Sequence, residues 1–152
     1  MKVQDVMTAE VGFCRIEDNL AAAANIMWTK DCGAVPVLDA ENRVAGIITD
    51  RDVCIALGTR DCRAAEIGVA EFCRENTIVC APGDKLKDAL KKMAKNQIKR
   101  LPVVSQSGEL VGIISLTDVL LTTDEDKKLR KTVVFALTEI SKPQPILLTE
   151  IE

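Results

Sequence analysis

The sequence predicts an α+β fold: two like units related by a pseudo-twofold, joined into one module and followed by a C-terminal helix. Three observations predict it. A shift of 66 positions carries Pro36-Val37 onto Pro102-Val103, Gly46-Ile47-Ile48 onto Gly112-Ile113-Ile114, and Asp52-Val53 onto Asp118-Val119. The same shift aligns Val3 with Val69, Cys14 with Cys80, Asp18 with Asp84, Leu20 with Leu86, Ala23 with Ala89 and Met27 with Met93. Identities kept in one register mark an internal duplication. Within each copy, Val/Ile-rich runs alternate with apolar residues at helical spacing, a mixture of strands and helices around a shared core. The residues after about 122 break the repeat. Two like units predict two equivalent clefts between them, where a ligand would sit.

In the first copy Phe13-Cys14-Arg15-Ile16 reads as a short strand, and Glu17-Asp18-Asn19 supply capping residues for a helix over 19–30. Leu20, Ala23, Ala24 and Met27 form one apolar stripe. Its counterpart is Leu86, Ala89, Leu90 and Met93, opened by Pro82-Gly83-Asp84. Strands at 34–38 and 44–49, joined by a turn at 39–42, recur at 101–104 and 110–115 around a turn at 105–108. Pro36 and Pro102 lack an N–H, so an edge or an irregular position is expected there, an edge being one open to the cleft. Helices follow over 50–57 and 116–122, with Gly58 as the stop of the first.

Residues 59–68 read as a linker, so the predicted divisions are 1–60 for the first repeat, 67–122 for the second and 123–152 for a helix and tail. Thr122-Thr123-Asp124-Glu125-Asp126 makes an acidic helix start that complements the helix dipole. Leu129, Val133, Ala136, Leu137 and Ile140 share one face up to about 141, opposite Lys127, Lys128 and Lys131. Such a helix packs on its own domain or meets a dimer partner. Pro143 and Pro145 end it, and Ile146–Leu148 reads as an extended strand or a disordered end.

With 152 residues the chain suits one compact domain or two halves sharing a core. One Trp, three Phe and no Tyr make that core aliphatic and leave no interleaved aromatics to stack bases. A net charge of −3 gives no global attraction to nucleic acid. No apolar run approaches a membrane span and no secretory signal is visible, so a cytoplasmic location is expected. The absence of histidine removes the commonest general base and its nucleophile pairs, which weighs against an enzyme. It also leaves the six cysteines without partners for a zinc set, and none forms a C-x-x-C. Cys14, Cys32, Cys54 and Cys80 lie in or beside apolar stretches and read as buried thiols. Cys62, between Asp61 and Arg63, is the candidate for an exposed redox thiol.

Two repeated motifs carry chemistry. Thr49-Asp50-Arg51-Asp52 and Ser115-Leu116-Thr117-Asp118 each set a hydroxyl and a carboxylate three apart at a strand-to-helix junction. One reading is a capping box. The other is a carboxylate facing a cleft, accepting both hydrogen bonds of a ribose diol. Spacing alone favours the cap.

The series Val3-x-Asp5-Val6-Met7-Thr8, then Ala34-Val35-Pro36-Val37-Leu38, then Gly46-Ile47-Ile48-Thr49-Asp50-Arg51-Asp52 resembles a cystathionine-β-synthase-type (CBS) domain. Ile98 to Val104 followed by Gly112-Ile113-Ile114-Ser115-x-x-Asp118 resembles it equally, so the likeness covers about residues 1–122. It implies a tandem pair of β-α-β-β-α units forming a disc with two clefts, with a homodimer as its usual state. It further implies binding of AMP, ADP, ATP or S-adenosylmethionine as a regulatory ligand rather than a cofactor. By the same resemblance Thr49 and Asp52 hold ribose in one cleft, and Ser115 and Asp118 in the other. Val11, Ala34 and Pro36 flank one adenine, Thr77 and Pro102 the second.

The copies differ in charge. Lys99-Arg100 precede the second proline strand where the first has Gly33-Ala34, and Arg51 stands in the first motif only. Guanidinium forks suit phosphate, so one phosphate-competent cleft is expected, using Arg100 with Lys99 and Arg51. The second copy reads Glu71-Phe72-Cys73-Arg74 where the first opens Asp5-Val6-Met7-Thr8, which alters that side of its pocket. Two functions follow: a non-enzymatic nucleotide sensor that signals to an unidentified protein in trans, or a ligand-free dimerisation module whose motifs are only helix caps.

Overall fold

The computed structural model describes residues 1–73, 76–123 and 126–143. The first copy comprises β1 (Cys14–Arg15), α1 (Leu20–Thr29), β2 (Ala34–Leu38), β3 (Val44–Thr49) and α2 (Asp50–Thr59). The second comprises α3 (Leu86–Asn96), β4 (Arg100–Val104), β5 (Leu110–Ser115) and α4 (Leu116–Leu121), and α5 (Lys127–Ser141) follows. The duplication extends to the register. Ala34 pairs with Thr49 and Val37 with Gly46, as Arg100 pairs with Ser115 and Val103 with Gly112, and each hairpin is irregular at the same step, after Val37 and after Val103. The turns correspond too: Asn42 (φ 61°) and Gly108 (φ 86°) occupy the same left-handed position, which glycine and asparagine tolerate best.

Pro36 does not mark an edge, whereas Pro102 stands in β4 of a two-stranded sheet. β2 lies between β1, parallel to it, and β3, antiparallel to it, and all five of its residues are buried. In the second copy Cys80 donates its N–H to the Pro102 carbonyl at 3.0 Å. A strand residue turns its N and carbonyl to the same flank, so the N–H that Pro102 lacks falls outside the β4–β5 ladder. The Cys80 segment makes only one parallel bridge, to Val103, which leaves the second sheet with two strands.

Side-chain caps stand at the starts of α1, α2, α4 and α5, whereas α3 begins after Lys85 without one. Asn19 caps α1 by accepting the Ala22 N–H at 3.1 Å, and Asp126 caps α5 by accepting those of Lys128 and Leu129. Gly58 does not stop α2. The helix runs on to Thr59, with the Arg60 N–H bonded to the Ala56 carbonyl at 3.1 Å, and no left-handed residue is used. On α5 the residues Leu129, Val133 and Ala136 are buried against α3 and α4, with Ile140 packed beside them. Leu137, expected on that face, is 44% exposed because it lies at the flank of the stripe. Residues 146–148 lie outside the described residues. No described helix is long and apolar enough to cross a membrane.

Each copy completes the other's core. Val3 is fully buried among Leu86, Leu90, Met93 and Leu101 of the second copy, and Ile67 and Val69 among Leu20, Val35 and Ile48 of the first. The crossings are held by equivalent hydrogen bonds, Val3 N–H to the Asp84 carbonyl and Val69 N–H to the Asp18 carbonyl, both 2.9 Å. Glycine is required where the crossing segments lie on the hairpins. A Cβ at Gly112 would come within 2.9 Å of the Thr8 carbonyl oxygen, and one at Gly46 within 3.0 Å of the Cys73 Cα. The exchange makes one module of two units, each too small to bury its own apolar face.

Candidate functional site

The strand-to-helix corners come first, because both copies build them alike. β3 ends in extended backbone at Thr49, whose N–H donates to Asp52 Oδ2 at 2.8 Å and whose hydroxyl donates to the same oxygen at 2.7 Å. The Asp52 N–H returns to Thr49 Oγ1 at 3.3 Å. At the second corner the Ser115 N–H donates to Asp118 Oδ2 at 2.8 Å, and the Asp118 N–H to Ser115 Oγ at 3.1 Å. The capping box is therefore formed in both copies. It uses one carboxylate oxygen of each aspartate. Among the described residues, no hydrogen bond is made to Oδ1 of Asp52 or Asp118, and both residues are half-buried. An anionic oxygen in that state remains able to accept from a ligand hydroxyl.

The hairpin register puts further expected residues beside these corners. Ala34 is opposite Thr49, and Arg100 is opposite Ser115. The carbonyl just before each strand ties down the helix start: Gly33 accepts the Asp50 N–H at 3.3 Å, and Lys99 the Leu116 N–H at 2.8 Å. Pro36 and Pro102 are buried one step inward, whereas Lys99 and Arg51 are exposed. Arg100 reaches across the seam between the copies. A Cβ on Gly33 would lie 3.0 Å from Arg100 Nη2 and 2.9 Å from Asp50 Oδ2. Glycine stands in the first copy where the second has Lys99, and the tips of Arg100 and Asp50 fill the space a Cβ would take.

Val11 and Thr77, equivalent under the 66-residue shift, sit on the crossing segments. Val11 lines a cleft of about 300 Å³ with Phe13, Lys30, Leu38 and Leu110. Thr77 donates its hydroxyl to the Ala45 carbonyl at 3.1 Å, so it lies on the first copy's hairpin. A second concavity of about 610 Å³ runs along Val79–Asp84, Lys92 and Val104–Gln106. Neither is lined by Thr49, Asp52, Ser115 or Asp118. Sequence reasoning missed Phe13, Lys30 and Leu110 in the first cleft. The signal was indirect, since only the exchange of segments brings the stretch around Thr8, ahead of β1, to the second copy's hairpin.

The cysteines divide by burial. Burial, and then the carboxylates of Asp18 and Asp84, push Cys14 and Cys80 from 9.0 up to about 11, and burial raises Cys73 as well. These three are protonated thiols at neutral pH. Cys32 and Cys54, expected to be buried, are exposed along with Cys62. Cys32 stands in the turn after α1 and Cys54 on the outward face of α2, so a neighbouring apolar run did not imply burial. Among the described residues no group of three or more Cys, Asp or Glu is placed to hold a metal ion.

A family model for the CBS domain matches residues 3–59 and 69–123, once for each copy. The chain belongs to the CBS domain family. Among its relatives, the uncharacterized protein MJ1225 of Methanocaldococcus jannaschii is 34% identical over 124 residues, 82% of this chain but only 43% of that protein. The CBS domain-containing protein YhcV of Bacillus subtilis is 34% identical over 117 residues, 77% of this chain and 81% of that one. Three solved structures share the fold of this CBS pair. The CBS domain pair of protein MJ0100, in complex with 5'-methylthioadenosine and S-adenosyl-L-methionine, has a TM-score of 0.74 at 23% identity over 84% of this chain and 98% of that one. The CBS domain protein PAE2072 from Pyrobaculum aerophilum, complexed with AMP, has a TM-score of 0.75 at 16% identity over 88% and 98%. Hypoxic response protein 1 of Mycobacterium tuberculosis, solved with two coordinated zinc ions, has a TM-score of 0.73 at 27% identity over 80% and 98%.

Proposed function

We propose that this CBS pair is a regulatory module of the cytoplasm that binds an adenosyl ligand (AMP, ADP, ATP or S-adenosylmethionine) and signals to a partner protein in trans as a homodimer. It catalyses no reaction itself. The observation that carries the reading is the pair of matched corners, in which the capping box leaves Oδ1 of Asp52 and of Asp118 unspent. A cap alone is satisfied by Oδ2, and the second oxygen is the acceptor a ribose diol needs. That two proteins of the same fold were solved with AMP, or with methylthioadenosine and S-adenosylmethionine, supports the ligand class.

In this reading Thr49 and Asp52 take the ribose in one cleft, with Val11, Ala34 and Pro36 along the adenine. Ser115 and Asp118 take it in the other, with Thr77 and Pro102. Arg100, next to Ser115 in the ladder, receives phosphate, helped by Lys99 and by Arg51 from across the seam. Binding acts on the partner only through unequal affinity for two states of the module. A second reading, a ligand-free interaction module, is favoured by the completeness of both capping boxes. Thermal melting with each of the four ligands separates the two. A ligand at about a hundred times its Kd adds about 2.7 kcal/mol to stability, a clear upward shift in Tm. No shift with any of the four leaves the second reading.

A further inference from the structure

The duplication supplies an internal control for the concavity of about 610 Å³ along Val79–Asp84, Lys92 and Val104–Gln106. The 66-residue shift maps its lining onto 13–18, Ile26 and 38–40 of the first copy. There the same surface is filled by Arg15. Its guanidinium lies over the Phe13 ring, 5.2 Å from the centroid, and Nη1 donates to the Asp39 carbonyl at 3.2 Å. Leu38, the partner of Arg15 in the β1–β2 register, is 4% exposed. In the second copy Ala81 stands at the position of Arg15 and Val79 at that of Phe13, and Val104, the counterpart of Leu38, is only half-buried. The second copy therefore carries the seat of an arginine side chain without the arginine.

The polar groups of that seat are acceptors with room for a donor. In the first copy the Ile16 N–H donates to the Leu38 carbonyl at 3.0 Å. Its counterpart, Pro82, has no N–H to give. The Val104 N–H donates to the Cys80 carbonyl at 2.9 Å, so the Val104 carbonyl faces the same flank and lacks the bond that Leu38 receives. Beside it the Ser105 carbonyl takes the Gly108 N–H at 3.0 Å. The equivalent Asp39 carbonyl takes the Asn42 N–H at 3.1 Å and Arg15 Nη1 as well, so a carbonyl at this turn accepts a second donor. Asp84 Oδ2 accepts the Ala81 N–H at 3.1 Å and Lys92 Nζ at 3.4 Å, and among the described residues no hydrogen bond is made to Oδ1. Lys92, in place of Ile26, also donates to the Val79 carbonyl at 3.1 Å, so its charge is countered within the site. Spare acceptors beside the apolar surface of Val79, Ala81 and Pro82 complement an N–H-rich cation with an aliphatic stem.

We propose that this concavity is a subsite for an alkylguanidinium group, the side chain of free arginine or of an arginine in a partner protein, seated as Arg15 is seated in the first copy. The guanidinium donates to the Val104 and Ser105 carbonyls, its stem covers Val79 and Ala81, and Asp84 supplies the opposite charge. The subsite is lined by none of Thr49, Asp52, Ser115 or Asp118, so it stands independently of the adenosyl ligand.

Titration of the isotope-labelled full chain with L-arginine and with N-acetyl-L-arginine amide, followed by backbone amide NMR shifts, tests it. L-citrulline, the uncharged isostere, is the control. Saturable shifts at Cys80, Val104, Ser105 and Gln106 are expected with an arginine probe and none there with citrulline. Ala81→Arg supplies the missing side chain from within and should abolish those shifts. Pro82→Ile restores an N–H for the Val104 carbonyl and should weaken binding by about tenfold. Lys92→Ile, the residue of the first copy, should bind at least as tightly as wild type. Retained dispersion of the amide spectrum shows that each variant is folded. Equal binding of the two probes assigns the group to a protein's arginine, because the capped form offers only its side chain, and binding of free arginine alone assigns it to the amino acid. No shift with either probe, equal shifts with citrulline, or shifts that survive Ala81→Arg overturn the subsite. Binding lost in Lys92→Ile overturns its cationic occupant in favour of an anion.

Discussion

Alanine at Gly112 is expected to unfasten the first copy's leading segment from the second copy's hairpin. The added Cβ would lie 2.7 Å from Met7 Sδ and 2.9 Å from the Thr8 carbonyl oxygen. The thioether can swing aside, but the carbonyl moves only if its segment moves. That segment is held by reciprocal hydrogen bonds between Thr8 and Ile113, both 2.9 Å, and by Val3 in the second core. Overpacking of this kind costs about 1–3 kcal/mol, and straining the one hydrogen bond that the displaced Thr8 carbonyl accepts from the Ile113 N–H about 1 kcal/mol more. The expected loss is therefore about 2–4 kcal/mol, read as a lower urea midpoint at an unchanged m-value. Gly58→Ala is the control. Nothing lies within 4 Å of a Cβ there and the residue is inside α2, so it should gain up to about 1 kcal/mol. A Gly112→Ala protein within about 0.5 kcal/mol of wild type, well under the overpacking cost, would refute the packing of the crossing segment.

Arg100→Ala should weaken AMP by about tenfold while leaving adenosine nearly unchanged, since a charge-assisted contact to phosphate is lost; calorimetry with both ligands reads this, and equal losses would remove Arg100 from the phosphate site. Alkylation of the native protein at pH 8 should label Cys32, Cys54 and Cys62 and spare Cys14 and Cys80, which mass spectrometry of the digest reads directly. The buried thiols also set a pH dependence. Their native pKa of about 11 lies above the ordinary 9.0, so the unfolded state loses its protons first as pH rises. Stability from this source is complete below pH 9 and falls between about 9 and 11. Replacing Cys14 and Cys80 together by alanine should flatten that fall in the urea midpoint.

Much of the fold was legible because local chemistry and the 66-residue register agree. Asn19, Thr49 and Ser115 stand where helices start, and the two Val/Ile runs of each copy form a hairpin in the same register. What escaped was tertiary. Periodicity places Val3 on a local apolar pattern but cannot say that it fills the other copy's core. A proline in a strand suggested an edge, yet β2 is central, between β1 and β3. Gly58 looked like a stop, but nothing in its surroundings demanded a left-handed residue. Cys54 lies in an apolar run that is half outward-facing. At the site, spacing gave the hydroxyl–carboxylate pairs, while the approach of Arg100 to Gly33 and Asp50 needed the third dimension.

Isothermal titration of AMP and S-adenosylmethionine into wild type, Asp52→Asn and Asp118→Asn tests the central claim most directly. An asparagine side chain keeps an amide oxygen that can accept the N–H of Thr49 or Ser115 in the capping box, so the folds should persist while the charged acceptor for ribose is lost. The account predicts saturable heat with wild type for at least one ligand, and a loss of about tenfold or more in one variant, which identifies the working cleft. Saturable heat that both variants reproduce unchanged, or no heat with either ligand, would contradict it and leave Asp52 and Asp118 as helix caps.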